Sequence, residues 1–132
     1  FTSTLEIRTN GKGFHDFTFQ VTRWVAECSV QTGLLTLFVQ HTSASLLIQE
    51  NADPEVRVDL ESYFDRIAPE NDPLYSHTSE GPDDMPSHIR SALTQTSLSI
   101  PVINAQPALG TWQGIYLFEH RRHPHRRTVA LH

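Results

Sequence analysis

Two histidines flank an acidic loop in the middle of the chain, and their spacing makes the loop a candidate metal site. His77 and His88 are eleven residues apart, with Glu80, Asp83 and Asp84 between them. A loop of this length can fold back and bring both imidazoles to one ion, and a catalytic zinc takes three protein ligands and keeps one position open. The carboxylates could orient an imidazole or act as a general base. A solvated acidic loop in which Asp84 caps a helix is the alternative, and spacing alone leaves both interpretations open.

A second polar group follows a strand-like segment. His41 is followed by three hydroxyl residues, Thr42, Ser43 and Ser45. Hydroxyl groups and turn amides together can bind a phosphate or a carboxylate. The alternative is a polar crossover between two strands, in which His41 bonds to the backbone.

Two further segments could contribute to a site. In the first, glycines on either side of Trp112 and Gln113 let the backbone approach a ligand, although Trp112 is more simply a packed side chain. Gln113 is a candidate because a buried amide needs partners. The second, Glu119 to Arg127, holds four arginines and three histidines. It could bind phosphate through arginine or be a solvated hairpin tip, with Arg127 pointing inward.

The composition limits the classes of protein to consider. The chain has 132 residues, with 10 Lys or Arg against 15 Asp or Glu, so its formal net charge is −5. This length suits one domain covering residues 1–132, and the negative charge argues against nucleic acid as a partner. No apolar run approaches the ~20 residues of a membrane span, so we expect no membrane partner. The single cysteine, Cys28, fits a reducing compartment, and we expect a cytoplasmic protein.

Hydrophobic periodicity predicts which elements hold these residues. We expect strands at residues 2–8, 34–40, 44–49 and 98–102, and a closing hairpin formed by residues 112–120 and 126–131. A helix capped by Thr18 is expected to run to about Ser29, a second to begin at Asp53–Pro54 and end before Pro69, and a short third to run from Asp84 or Met85 to Leu93. The pattern predicts an α+β fold with a mainly antiparallel sheet of about six or seven strands and about three helices.

Five ordered motifs together resemble a known family. They are Gln40–Ser45, Gln49–Pro54, His77–Gly81, Met85–Ile89 and Gly110–Gly114, and they span almost the whole chain. The sequence resembles the secondary thiamine-phosphate synthase family, or YjbQ-like proteins. The resemblance implies a small α+β domain that assembles as a homotrimer.

The resemblance also implies a set of site residues. His41, His77 and His88 match the histidines thought to bind a divalent metal, with zinc as the expected ion. His120 lies where many relatives carry another residue, so it is left out of the metal set. The polar positions near the metal are expected to be catalytic at Glu80, Glu50 and Gln113, and to bind anion or substrate at Thr42, Ser43, Ser45, Asn51, Thr111 and Arg127.

Three functional hypotheses follow. The first is a metal-dependent enzyme acting on a small phosphorylated molecule. It would be a thiamine-phosphate synthase that joins a pyrimidine diphosphate to a thiazole phosphate, or a hydrolase of phosphorylated metabolites. The second is a non-catalytic trimer that binds metal and an anion. The third is a structural trimer with buried polar histidines and no metal. An enzyme needs a general base within hydrogen-bond reach of the reacting water, so the positions of Glu50 and Glu80 separate the first two hypotheses.

Overall fold

Eight strands and three helices build the fold, in a computed structural model that describes residues 1–132. The strands are β1 (Ser3–Arg8), β2 (Gly13–Asp16), β3 (Thr32–Val39), β4 (Ala44–Glu50), β5 (Ser97–Ile103), β6 (Gln106–Pro107), β7 (Gln113–Glu119) and β8 (Arg126–Leu131). The helices are α1 (Thr18–Cys28), α2 (Pro54–Ile67) and α3 (Asp84–Leu93). The expected single-domain α+β fold with three helices is confirmed.

The strands form two antiparallel sheets. The larger has the order β1-β8-β3-β5-β6, and the smaller has the order β2-β7-β4. In the smaller sheet, Ala44 of β4 pairs with Glu119 of β7, and Glu50 pairs with Gln113. The start of β4 therefore lies beside the end of β7, and this corner holds several of the predicted site residues.

The core lies between the two sheets and α1. Alternation along β3 and β8 turns Leu37, Val129 and Leu131 inward, where they join Leu46 and Leu117 of the smaller sheet in one cluster of 16 buried apolar residues. Helix α1 adds Val21 and Val25, which are four residues apart on one face. None of the three helices has the length and apolar character that a membrane span requires.

The predicted closing hairpin is wrong, because β7 and β8 lie in different sheets. Residues 120–125 carry the chain from one sheet to the other instead of forming a tight turn. The two strands are joined by side chains, since Arg127 of β8 donates from Nε to Glu119 Oε1 of β7 at 2.8 Å. The two short strands β2 (Gly13–Asp16) and β6 (Gln106–Pro107) were not predicted.

The predicted N-cap residue is correct for α2 and wrong for α1. For α2, Asp53 is the N-cap, accepting the Glu55 N–H at 2.9 Å, and Pro54 is the first residue, as expected. For α1, the predicted Thr18 cap is wrong. Thr18 is inside the helix, and its own N–H and hydroxyl donate to Asp16 Oδ1 at 2.9 and 2.7 Å.

Candidate metal centre

Four side chains from one loop and one helix meet at a possible metal site. The ligand atoms of His77, Glu80, Asp84 and His88 all lie within 4.8 Å of one another. Asp84 and His88 share a face of α3, because residues four apart on a helix are neighbours. Gly81, at φ 100°, turns the preceding loop so that His77 and Glu80 reach the same point.

The Asp84 carboxylate is at the centre of this cluster. Its Oδ2 lies 2.6 Å from His77 Nε2 and 3.1 Å from His88 Nε2. Glu80 Oε2 lies 3.1 Å from the same His77 nitrogen. The hydrogen bond to Asp84 raises the pKa of His77, so a proton competes with any cation for this nitrogen.

Arg121 fixes the orientation of that carboxylate. Its Nη1 donates to Asp84 Oδ1 at 2.5 Å, its Nε donates to Asp83 Oδ2 at 3.0 Å, and its Nη2 donates to the Glu80 carbonyl at 2.9 Å. Burial opposes ionisation of Asp84, but the His77 hydrogen bond and the Arg121 charge hold its pKa below the usual range. Oδ1 is thus occupied, and Oδ2 faces the two histidines.

His41 is not one of the four clustered residues. Its Nε2 accepts the backbone N–H of Thr128 at 2.8 Å, and its Nδ1 lies 3.5 Å from Arg127 Nη1. Burial and the charge of Arg127 lower the pKa of His41, so its ring is neutral near pH 7. The backbone bond foreseen as an alternative for His41 is present, and the structure does not bring His41 to His77 and His88 within this chain.

Arg127 and Glu119 form a buried ion pair beside His41. Arg127 bonds both oxygens of Glu119, through Nε at 2.8 Å and Nη2 at 2.5 Å. The same Nη2 donates to Ser43 Oγ at 2.9 Å. The prediction that Arg127 points inward is confirmed, and Ser43 is its neighbour, whereas Thr42 is exposed.

Ser45 belongs to a separate buried chain of hydrogen bonds. Its Oγ lies 2.9 Å from His120 Nε2 and 2.6 Å from Thr94 Oγ1. Thr94 Oγ1 is also 2.7 Å from the Arg90 carbonyl. Ser45 and His120 are almost completely buried, so their contacts are internal to the fold.

The other predicted polar residues lie at the opposite end of β4. Glu50 Oε2 accepts the N–H groups of Ala52 and Asp53 at 2.9 and 2.8 Å, which stabilises the start of α2. Gln113 Oε1 accepts the Gly110 N–H at 2.7 Å. Asn51 Nδ2 donates to the carbonyl of Thr111 at 3.3 Å. Glu50 is six positions after Ala44 on β4, which is about 20 Å at ~3.3 Å per residue.

Three residues at the two sites had no specific role in the prediction. Asp84 was named only as one of three loop carboxylates, and Glu119 and Arg121 only as part of the segment from Glu119 to Arg127. The Asp84–His88 spacing carried a usable signal, because a carboxylate and an imidazole at i and i+4 share one helix face. Glu119 and Arg121 had no such signal, since their partners are 8 to 110 residues away.

Comparisons with known proteins identify relatives over the whole chain. A family model described as "UPF0047 protein YjbQ-like" matches residues 3–132. The UPF0047 protein sll1880 of Synechocystis is 54% identical over 128 residues, covering 97% of this chain and 87% of the relative. The UPF0047 protein YjbQ of Escherichia coli O157:H7 is 46% identical, covering 98% and 94%. The crystal structure of the conserved hypothetical protein TT1486 from Thermus thermophilus has a TM-score of 0.86 at 35% identity, covering 98% of each chain.

Proposed function

Since this chain belongs to the UPF0047, YjbQ-like family, we propose that it is a metal-dependent enzyme acting on a small phosphorylated molecule. The main observation that supports this proposal is a group of four side chains whose ligand atoms lie within 4.8 Å of one another: His77, Glu80, Asp84 and His88.

The chemistry of these donors fits a divalent ion. Imidazole nitrogens and carboxylate oxygens are the usual ligands of zinc and of similar first-row ions. In this chain the two Nε2 atoms and Asp84 Oδ2 point at one another across 2.6 and 3.1 Å. A cation would relieve the competition of two imidazoles for one carboxylate oxygen. His77, Asp84 and His88 are the proposed ligands, and zinc is the expected ion.

The proposed roles of the surrounding residues follow from their contacts. When bound, a divalent ion supplies a Lewis acid that polarises a phosphoryl oxygen. Arg121 positions Asp84 by holding Oδ1, so that Oδ2 keeps its orientation. Glu80 is exposed and adjoins His77, and in a hydrolysis it is the proposed group that accepts a proton from the attacking water.

Glu50 and Gln113 have no proposed catalytic role within one chain. The carboxylate of Glu50 is engaged by two backbone N–H groups at the start of α2. Glu119 is also excluded as a base, because the guanidinium of Arg127 and the hydroxyl of Thr9 occupy it. The hydrolase form of the enzyme hypothesis therefore depends on Glu80.

Two reaction types are compatible with this site. One is transfer, in which a pyrimidine diphosphate is joined to a thiazole phosphate with loss of pyrophosphate, as the resemblance to secondary thiamine-phosphate synthases implies. The other is hydrolysis of a phosphate ester. The competing proposal is a non-catalytic protein that binds metal and an anion.

The test measures product release with and without metal. Protein stripped with EDTA and protein reloaded with zinc are assayed for pyrophosphate release from the pyrimidine and thiazole pair, and for phosphate release from a panel of phosphate monoesters. We expect zinc-dependent release, and for phosphate release from monoesters a loss of about 10²-fold or more in Glu80→Gln with zinc content unchanged. Glu55→Gln, at an exposed carboxylate on α2, is the control. Zinc binding without release of either product would favour the non-catalytic alternative.

The proposed assembly is a homotrimer, which the family resemblance implies. Several large apolar side chains on the outer face of the five-stranded sheet are exposed, among them Leu34 at 62% and Phe38 at 47%. Large exposed apolar side chains on one face are typical of an interaction surface. This face is the proposed contact between copies.

A further inference from the structure

The ring of His41 has a defined tautomer. Its Nε2 lies 2.8 Å from the backbone nitrogen of Thr128, and a backbone N–H can only donate. Nε2 must therefore be the unprotonated acceptor. The contact also continues the pairing of β3 with β8, because Gln40 N–H donates to the Thr128 carbonyl at 3.0 Å.

The single hydrogen of the neutral ring is consequently on Nδ1. That atom lies 3.5 Å from Arg127 Nη1, which can donate hydrogen bonds but cannot accept one. Two donors face each other at this distance, so the contact is not a hydrogen bond. Both hydrogens need an acceptor that neither residue supplies.

The rest of the Arg127 guanidinium is fully engaged. Its Nε and Nη2 bond the two oxygens of Glu119, and Nη2 also donates to the Ser43 carbonyl at 3.2 Å and to Ser43 Oγ at 2.9 Å. Because Ser43 Oγ accepts that bond, its own hydrogen is also available. Nη1 has no acceptor in this chain, as its one polar contact is His41 Nδ1.

Glu119 prevents the guanidinium from turning to find another partner. Its oxygens accept from Thr9 Oγ1 at 2.7 Å and from the backbone N–H groups of His120 and Arg121 at 3.1 and 3.2 Å, in addition to the two bonds from Arg127. Five donors therefore hold this buried carboxylate, and a bidentate pair fixes the plane of the guanidinium. The direction of Nη1 is set by the fold.

We propose that His41 Nδ1–H and Arg127 Nη1, with the Ser43 hydroxyl beside them, bind an oxygen of an oxyanion of the phosphate type. This inference deepens the proposed function, because it says where the phosphate of the substrate is held. It also makes His41 an anion donor and not a metal ligand. Metal ligation through Nδ1 would move the ring hydrogen to Nε2, where it would meet the Thr128 N–H at 2.8 Å.

One short segment joins this oxyanion site to the candidate metal centre. Glu119 anchors Arg127, and two residues later Arg121 anchors Asp84. The Arg121 N–H donates to Glu119 Oε2 at 3.2 Å, so the segment is tied to the same carboxylate. Both sites are thus positioned by residues 119–121.

The first experiment observes the tautomer directly. Protein labelled with ¹⁵N-histidine is treated with EDTA, and the ring nitrogens are recorded by long-range ¹H–¹⁵N NMR near pH 7. The signals of His41 are identified by their loss in His41→Phe. We expect a protonated Nδ1 and an unprotonated Nε2, and we expect inorganic phosphate to shift the Nδ1 signal. A protonated Nε2 in the wild type would overturn the proposal, and if His41→Phe fails to fold, His41→Gln identifies the same signals.

The second experiment measures affinity for inorganic phosphate in the same metal-free protein by calorimetry. His41→Phe should weaken binding by at least about tenfold, since a hydrogen bond to a charged group is lost. His123→Phe, which removes an exposed imidazole, should not change it. Unchanged phosphate affinity in His41→Phe would overturn the proposal, as would failure of that variant to retain zinc when it is reloaded with the metal. Absence of zinc from the wild type would instead contradict the proposed metal centre, so the two proposals fail separately.

Discussion

The carboxylate of Glu119 shows how one buried charge sets the geometry around it. Burial opposes its ionisation, but the bonds from Arg127 and Thr9 outweigh this effect and hold its pKa below the usual range. It is therefore ionised and saturated with donors near pH 7. Removing Arg127 would leave a buried charge without its partner, and such changes typically destabilise by about 3–5 kcal/mol.

His120 is the residue whose ionisation should most strongly couple stability to pH. Burial, together with the charges of Arg90 and Arg127, lowers the pKa of His120 to about 3 from its ordinary value of 6.5. Between these two values the unfolded chain binds a proton that the folded chain excludes. The free energy of unfolding should therefore fall as the pH decreases from about 6.5, by up to about 1.4 kcal/mol per pH unit.

Urea unfolding at pH values between about 7 and 5 measures this slope, because most carboxylates stay ionised in that range. His120→Gln should flatten it, because the titrating group is removed, whereas the exposed His123→Gln should retain it. If His120→Gln kept the wild-type slope, the excluded proton would belong to another group.

At the level of single residues, the sequence predicted which residues belong to a site better than it predicted which atoms are in contact. His77 and His88 were expected at one site, and they share Asp84. The sequence did not show which carboxylate faces these histidines. Asp83 and Asp84 are adjacent, and their side chains point in different directions because α3 begins at Asp84. The tautomer of His41 depends on Thr128, which is 87 residues away, and no local pattern contains that information.

At the level of elements, two carboxylates hold the start of α2, and the ion pair of Asp65 with Arg90 at 2.6 Å holds its last turn. The Asp53 carboxylate accepts the Glu55 N–H at 2.9 Å, and Glu50 Oε2 accepts the N–H of Asp53 itself. None of its residues is fully buried, so packing contributes only part of its stability. The caps at its N-terminus should therefore matter to its stability.

Replacing the cap tests that expectation. Asp53→Ala should lower the free energy of unfolding by about 1 kcal/mol, as is typical for the loss of an N-cap side chain. Asp59→Ala, at an exposed position on the same helix, should change it by less than about 0.5 kcal/mol. Chemical denaturation of the three proteins compares them. Equal stabilities of wild type and Asp53→Ala would show that the cap contributes little.

Local sequence patterns correctly predicted an element when the residues that define it are adjacent in sequence. They predicted the pairing of distant strands less well. The cap and proline of α2 are adjacent in sequence, so its start was predicted correctly. The partners of β7 and β8 are distant strands, and proximity in sequence wrongly suggested a hairpin. The short strands β2 and β6, of four and two residues, have too few side chains to show an alternation.

For the molecule as a whole, the outer face of the larger sheet exposes large apolar side chains to solvent, among them Leu34 and Phe38. Phe38 lies opposite Ala130 of β8, and Leu34 is four residues earlier on the same strand, so they share one face. Several neighbouring side chains there are small or carry hydroxyl groups, such as Ser97 and Ser99 of β5. Small residues allow a second copy to approach closely.

Substitution on this face should change the oligomeric state. We expect size-exclusion chromatography with light scattering to give the mass of three chains for the wild type and of one chain for Phe38→Asp, because a charge would be buried in the contact. Leu74→Asp, at a loop residue that is 88% exposed, should keep the trimer. A wild-type protein that is monomeric at micromolar concentration would exclude the proposed assembly.

The central claim is that His77, Asp84 and His88 hold a divalent metal, and elemental analysis of tag-free protein tests it most directly. Wild type, His88→Ala and the exposed-site control His123→Ala are incubated with zinc, passed through a desalting column and analysed for metal and protein content. We predict close to one zinc per chain in the wild type and in His123→Ala, and the loss of most of it in His88→Ala. A folded wild-type protein without metal, or a His88→Ala protein with full zinc content, would contradict the claim.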